Sequence, residues 1–190
     1  MGGLRRLVNI TRIGYNCGMT CIVGIAYKDK VYIGGDRGAS DGSSIVSLAA
    51  PKVYIRDEWI FGYAGSMGIG QIMQIINIPL LSEDDDPFLI LRMDVVDAFK
   101  SMMDIQGITI NEDSDTDFLI GCRGRLFEFS PADWSVAEVA ETAIGSGGNF
   151  ALGSLYSSID KSPIERIGLA IGAAITYSPT CQGPMDILYI

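Results

Sequence analysis

TCIVGIAYKDKVYIGGD, at residues 20–36, is the stretch of sequence that decides the fold. Two apolar, β-branched runs, Thr20–Ala26 and Val31–Gly35, flank a polar turn at residues 28–30. Runs of this kind are typical of buried strands, and a short polar turn between two of them indicates a β-hairpin. The sequence therefore predicts a buried hairpin that begins at a threonine and is followed directly by Asp36.

Strand and helix patterns follow this hairpin in groups. The strand patterns lie at Lys52–Ile55, Trp59–Ala64, Asp117–Cys122, Leu126–Phe129 and Met185–Ile190. Apolar residues at helical spacing predict helices at Ile69–Ile78, Phe88–Ile105, Asn149–Ile159 and from Pro163 to about Tyr177. Strands in groups and helices in pairs favour an α+β fold in which helices cover antiparallel sheets.

Composition restricts the chemistry of the chain. The 190 residues contain no histidine, so Ser-His-Asp and Cys-His mechanisms and His-containing zinc sites are excluded. None of the four cysteines, at positions 17, 21, 122 and 181, forms a Cys-x-x-Cys pair, which argues against a zinc knuckle or a dithiol redox motif. We expect neither a metal nor a cofactor.

Charge and hydropathy argue against two classes of partner. The net charge of −9 is unsuited to nucleic acids, whose binding needs a basic patch. The longest strongly apolar stretch, Ile167–Ile175, is about half the ~18 residues that a membrane span needs, and no signal-peptide pattern precedes it. Few, scattered cysteines are typical of reduced thiols, so we expect a cytoplasmic protein.

Residues 1–19 differ in composition from the rest of the chain. They contain three arginines and no acidic residue, and no clear period runs through them. We interpret residues 1–19 as an N-terminal extension or propeptide and residues 20–190 as one domain. An alternative is that translation starts at Met19, and loss of this methionine would leave the same mature chain.

The α-amino group of a mature chain can serve as the proton acceptor where histidine is absent. Its ordinary pKa of about 7.7–8.0 leaves a useful fraction neutral near pH 7. If the first residue carries a hydroxyl, the amine can accept the hydroxyl proton directly or through one water. Cleavage after Met19 would place Thr20 in this position, at the start of a strand.

Four features occur together in an order and spacing that match a known family. They are MTCIVGIAYKDKVYIGGD at residues 19–36, Lys52, IFGYAGS at residues 60–66 and GSGGNFALGSLYS at residues 145–157. Together they resemble the proteasome β-subunit and HslV peptidase family of N-terminal nucleophile (Ntn) hydrolases, over about residues 20–190. The resemblance implies a divergent bacterial or phage member with a four-layer αββα sandwich of two antiparallel sheets.

The resemblance also implies roles for individual residues. Thr20 would supply the attacking Oγ1, and Lys52 would be the cation that stabilises the alkoxide, held in place by Asp36. The N–H of Gly62 would face the developing oxyanion. Ser146 would belong to the hydroxyl network beside the nucleophile.

The segment after the last predicted helix departs from the family pattern. Proteasome β subunits carry an aspartate, a serine and a glycine pair there, whereas this chain reads YSPTCQG at residues 177–183. Ser178 stands at the position of the acid, and Cys181 stands at the position of the serine. The network that supports the α-amino group is therefore altered.

The resemblance implies a threonine endopeptidase that hydrolyses peptide bonds by acyl transfer through Thr20. It also implies homo-oligomeric stacked rings, unfolded polypeptides as substrates and an ATPase unfoldase as a partner. Two other functions stay open. A non-catalytic ring-forming subunit would keep the residues before Thr20 attached, and an Ntn amidohydrolase acting on small amides would be a monomer with a closed pocket.

Overall fold

The computed structural model describes residues 20–40, 44–110 and 115–190. The predicted N-terminal extension, residues 1–19, lies outside the described residues, so the division of the chain at Thr20 stays a prediction.

Within these residues, groups of strands alternate with groups of helices. The strands are β1 (Ile22–Tyr27), β2 (Lys30–Asp36), β3 (Gly38–Ser40), β4 (Ile45–Ser47), β5 (Val53–Arg56), β6 (Trp59–Ala64), β7 (Asp117–Cys122), β8 (Arg125–Ser130), β9 (Ser135–Val139), β10 (Glu141–Ile144) and β11 (Met185–Tyr189). The helices are α1 (Met67–Ile75), α2 (Pro87–Ile90), α3 (Val96–Ile105), α4 (Gly148–Ser157) and α5 (Pro163–Tyr177), and a π-helical turn (Leu91–Val95) joins α2 to α3.

Two antiparallel sheets carry most of the strands. One sheet has the order β10-β1-β2-β11, the other has the order β5-β6-β7-β8-β9, and β3 pairs with β4. In the first sheet, Ile22 of β1 lies opposite Gly35 of β2, as the predicted hairpin requires. Because β10 pairs with β1 and β11 pairs with β2, the end of β10 lies near Thr20 and the beginning of β11 lies beside Asp36.

Buried apolar side chains form three clusters. One contains residues of both sheets, among them Ile22 and Ile33 of the first and Ile60 and Leu119 of the second. Another combines the five-stranded sheet with α1 and α3, and the third combines the four-stranded sheet with α4 and α5. All six residues of β6 are buried, because a strand with apolar partners on both faces has no side free for solvent.

The predicted α+β class with antiparallel sheets is confirmed. The sequence did not predict β3, β4, β9 and β10. β4 is exposed at every position, and Ile144 is the single buried residue of β9 and β10 together. None of these three strands therefore has the buried apolar run by which strands are predicted from sequence. The predicted helix Phe88–Ile105 is interrupted by the π-helical turn.

Helix α5 places the segment that follows it. The helix begins with a capping box, in which the Ser162 side chain accepts from the Glu165 N–H and the Glu165 carboxylate accepts from the Ser162 N–H. It ends at Ser178, whose N–H donates to the carbonyl of Ala174 at 2.8 Å. Of the helices in the described ranges, none combines the length and hydropathy of a membrane-spanning helix.

Two helical glycines provide a test of the packing of α1. A Cβ on Gly70 would lie 2.2–2.6 Å from three ring atoms of the buried Tyr63, whereas a Cβ on Gly153 in α4 would meet nothing within 4 Å. Overpacking costs about 1–3 kcal/mol, and replacing a helical glycine by alanine gains about 1 kcal/mol. We therefore expect Gly70→Ala to lower the free energy of unfolding and Gly153→Ala to raise it. Urea denaturation of both variants measures the difference, and a Gly70→Ala protein more stable than wild type would contradict this packing.

Candidate active site

The β1–β2 hairpin brings Asp36 beside the residue that follows Thr20. The Asp36 N–H donates to the Cys21 carbonyl at 3.2 Å, and the Cys21 N–H donates to Asp36 Oδ1 at 3.0 Å. Thr20 directly precedes Cys21, and Lys52 directly precedes β5 on the neighbouring sheet. The three predicted residues Thr20, Asp36 and Lys52 therefore meet where strands of the two sheets begin or end.

The Lys52 ammonium is the centre of this group. Its Nζ lies 2.5 Å from Thr20 Oγ1 and 3.2 Å from Asp36 Oδ1, and it also donates to the carbonyl of Gly38. The Lys52 side chain is 1% exposed and that of Asp36 is 0% exposed. An ammonium has three donors, and each has an acceptor here, so the buried charge is paired and hydrogen-bonded. Lys52 is thus held with one N–H directed at the threonine hydroxyl.

The Asp36 carboxylate is hydrogen-bonded at both oxygens. Oδ1 accepts from the Cys21 N–H and from Lys52, and Oδ2 accepts from the N–H groups of Gly38 and Gln182, each at 3.0 Å. These donors come from Cys21, which directly precedes β1, from the lysine before β5, from β3 and from the segment after α5. One carboxylate therefore fixes four separate parts of the chain relative to one another.

A chain of hydroxyl groups leads away from the Thr20 nitrogen. The Thr20 N–H donates to Ser146 Oγ at 3.2 Å. Ser146 Oγ lies 2.7 Å from Thr180 Oγ1, which in turn lies 2.6 Å from Ser178 Oγ. The structure thus connects the predicted residues Ser146 and Ser178 to the Thr20 nitrogen through hydrogen-bonded hydroxyls. The connecting residue, Thr180, was not selected from the sequence, although it stands within the YSPTCQG segment as a hydroxyl residue.

Cys181 lies beside this chain of hydroxyls and packs into the hydrophobic cluster of α4, α5 and β1. Burial raises the pKa of its thiol, and hydrogen bonds with Ser178 and Thr180 act in the opposite direction. Burial likewise raises the pKa of the neighbouring Cys21 thiol well above its usual range. Both groups are neutral at physiological pH. In the chain of hydroxyls, Thr180 rather than Cys181 makes the connection between Ser146 and Ser178.

The role of oxyanion donor stays a prediction for Gly62, and the position of this glycine in the fold does not favour it. Gly62 lies in the middle of β6, opposite Val53 on one side and Leu119 on the other, so its peptide group belongs to the sheet. A Cβ at this position would lie 2.7 Å from Ile22 and 2.9 Å from Ile33, in the apolar cluster that both sheets share. The glycine is required there for the close approach of the two sheets.

Gly65 is the better candidate for this donor. It follows the last residue of β6 with a φ of +104°, a conformation that favours glycine. The Tyr63 N–H donates to the Lys52 carbonyl at 3.3 Å, and the N–H groups of alternate residues in a strand point to the same side. If the alternation of β6 continues by one residue, the Gly65 N–H faces the edge of the sheet where Lys52 lies.

The buried ion pair leads to a prediction about stability. We expect Lys52→Met to lower the free energy of unfolding by about 3–5 kcal/mol, because Asp36 would keep a buried charge without its cation. The double variant with Asp36→Asn should lose less than the sum of the single losses, since the two residues share one interaction. Urea denaturation of the three variants completes the cycle.

The partly exposed pair of Arg37 and Asp186, at 2.6 Å, is the matched control for this cycle. Asp186→Asn should cost no more than about 1 kcal/mol, as is usual for pairs that solvent reaches. A loss for Lys52→Met that does not exceed the loss for Asp186→Asn would contradict the buried pairing of Lys52 with Asp36.

Comparisons with known proteins point to one group of relatives. The chain is 27% identical over 170 residues to a proteasome subunit beta of Frankia alni, covering 81% of this chain and 60% of that protein. It is 30% identical over 177 residues to a proteasome subunit beta of Gordonia bronchialis, covering 83% of this chain and 59% of that protein. The chain thus spans about 60% of the length of these curated relatives. No family model matches it.

Solved structures agree with the described fold. A Thiobacillus denitrificans BPH in complex with epoxomicin superposes with a TM-score of 0.71 at 17% identity, covering 90% of this chain and 98% of that one. A eukaryotic HslV from Trypanosoma brucei gives a TM-score of 0.70 at 18% identity, with the same coverage. At these identities the likeness concerns the fold. The resemblance to proteasome β subunits and HslV is therefore confirmed, in sequence by the proteasome β subunits and in fold by HslV.

Proposed function

We propose that this chain is an N-terminal threonine peptidase subunit, in which Thr20 becomes the nucleophile once the bond to Met19 is cleaved. The observation that carries the proposal is the 2.5 Å contact between Lys52 Nζ and Thr20 Oγ1, inside a buried ion pair with Asp36. An ammonium at this distance lowers the cost of an alkoxide at Thr20 Oγ1. It also disfavours a second positive charge on the neighbouring amine, which keeps the amine neutral and able to accept the hydroxyl proton.

The reaction is an acyl transfer in two halves. Thr20 Oγ1 attacks the carbonyl carbon of a peptide bond, and its proton passes to the Thr20 α-amine. The C–N bond of the substrate then breaks, and this proton goes to the leaving amine, which leaves an ester on Thr20. A water that gives its proton to the same α-amine attacks the ester, releases the acid and restores the hydroxyl.

Two groups of the described chain complete this mechanism. The N–H of Gly65 faces the oxyanion that develops on the substrate, and removal of one such donor typically costs about 3–4 kcal/mol of barrier. Ser146 Oγ, which accepts from the Thr20 N–H, orients the nitrogen. The Thr20 residue is fully buried in the described structure, so the proposal requires that it become accessible as its amine is released.

The surrounding architecture follows from the same proposal. We infer a four-layer αββα sandwich of the Ntn-hydrolase type. The three apolar clusters support it, because one joins the two sheets and each of the others joins one sheet to helices. Proteins of the proteasome and HslV type generally form rings, so we infer stacked homo-oligomeric rings that enclose Thr20. Unfolded polypeptides are then the substrates, an ATPase unfoldase delivers them, and the assembly works in the cytoplasm.

Substitution of the nucleophile tests the proposal. We expect Thr20→Ala to lower peptide hydrolysis by about 10³-fold or more, because no hydroxyl remains to form the ester. Thr20→Ser keeps the hydroxyl and should retain measurable activity. The assay is release of a fluorophore from short peptides, with the size of the assembly checked by light scattering for each variant.

The mass of the purified chain decides between the possible outcomes. A mature chain that begins at Thr20 and hydrolyses peptides supports the proposal. A chain that keeps residues 1–19, forms rings and has no activity identifies a non-catalytic subunit, and a monomer that cleaves only small amides identifies an amidohydrolase. Hydrolysis by Thr20→Ala at the wild-type rate would show that Thr20 is not the nucleophile.

A further inference from the structure

The segment between Ser178 and Gln182 is fixed at both ends. At one end, the Ser178 N–H donates to Ala174 at the end of α5, at 2.8 Å. At the other end, the Gln182 N–H donates to the Asp36 carboxylate at 3.0 Å. Pro179 further restricts the backbone between them. Thr180 lies at the middle of this segment. The Asp36 carboxylate, which also pairs with Lys52, therefore helps to fix the position of Thr180 by holding Gln182.

Thr180 is the only member of the chain of hydroxyls that bonds to two others. Its Oγ1 lies 2.7 Å from Ser146 Oγ and 2.6 Å from Ser178 Oγ. Ser146 is exposed and lies in the short turn between β10 and α4. Ser178, in contrast, is 6% exposed. Thr180 therefore connects the exposed hydroxyl at the Thr20 nitrogen to a buried, fixed one.

The chemistry of this connection differs from that of a carboxylate. An ionised carboxylate only accepts hydrogen bonds, whereas each hydroxyl has one donor and two acceptor sites. In one direction, Ser178 donates to Thr180 and Thr180 donates to Ser146, which leaves the Ser146 hydrogen for the lone pair of a neutral amine. In the other direction, Ser146 donates to Thr180 while accepting from an N–H. Both directions satisfy the same heavy-atom distances.

We propose that Thr180 is a positioning residue, which holds the Ser146 hydroxyl against the Thr20 nitrogen and lets it either accept from or donate to that nitrogen. This role rests on the function proposed above. During acyl transfer the nitrogen gains a proton and then loses it. A chain of hydroxyls that reverses its direction supports both states without a change in the positions of the heavy atoms.

The test compares Thr180→Val, which keeps the shape and removes the hydroxyl, with Thr180→Ser, which restores it. We expect Thr180→Val to lower kcat for a fluorogenic peptide about tenfold with KM unchanged, because a misplaced reacting group slows chemistry without weakening substrate binding. Thr180→Ser should recover most of the loss. The full chain is used, and the thermal unfolding of each variant is checked.

Thr176→Val is the matched control. Thr176 is exposed on α5 and its hydroxyl donates to the Gly172 carbonyl at 2.8 Å within the same helix, so the same substitution there should leave kcat unchanged. A Thr180→Val protein with wild-type kcat would overturn the inference while the proposed function stands. A loss that Thr180→Ser does not recover would also overturn it, since the hydroxyl would then not be the cause.

Failure of the proposed function is distinguished by a second measurement. If the wild-type chain keeps residues 1–19 and hydrolyses no peptide, the Thr20 nitrogen remains a peptide N–H that donates to Ser146. Thr180→Val should then increase the rate of hydrogen exchange at Thr20, and Thr180→Ser should not. Equal exchange rates in wild type and Thr180→Val would overturn the positioning role without reference to catalysis.

Discussion

The buried carboxylate of Asp36 is the constraint on which the rest of the site depends. It accepts from Cys21, which directly precedes β1, from Lys52, from β3 and from the segment after α5. A buried charge is tolerated only when it is paired and hydrogen-bonded, so each of these donors must be in place for the fold to be stable. The register of the β1–β2 hairpin, the position of Lys52 and the path of the chain after α5 are therefore not independent. They are coupled through one side chain.

This coupling explains how Thr20 is contacted from two sides. Lys52 approaches the Thr20 hydroxyl, and Ser146 approaches the Thr20 nitrogen. The first approach is fixed by Asp36 directly, and the second is fixed through Gln182 and the segment that carries Thr180. The oxygen and the nitrogen of one residue are thus oriented by two networks with a common anchor, which keeps their relative geometry constant.

The parts of the site that are predictable from sequence are those fixed by local pairing. Thr20 and Asp36 flank one hairpin, so their proximity follows from the register of β1 and β2. The proposed oxyanion donor depends instead on which residue follows the end of β6. The sequence pattern does not fix where that strand ends, so it does not distinguish Gly65 from Gly62. Thr180 was missed because its role depends on the irregular path after α5, which no periodicity records.

In the proposed mechanism, a single covalent change separates the inactive chain from the active one. While Thr20 is joined to Met19, its nitrogen is a peptide group whose lone pair is delocalised, so it can donate to Ser146 but cannot accept the hydroxyl proton. The Lys52 contact and the chain of hydroxyls already surround Thr20 in this state. Cleavage therefore has no need to build these contacts, but it must make the buried Thr20 accessible to a substrate. It supplies the one function that a chain without histidine lacks, a basic nitrogen beside the nucleophile.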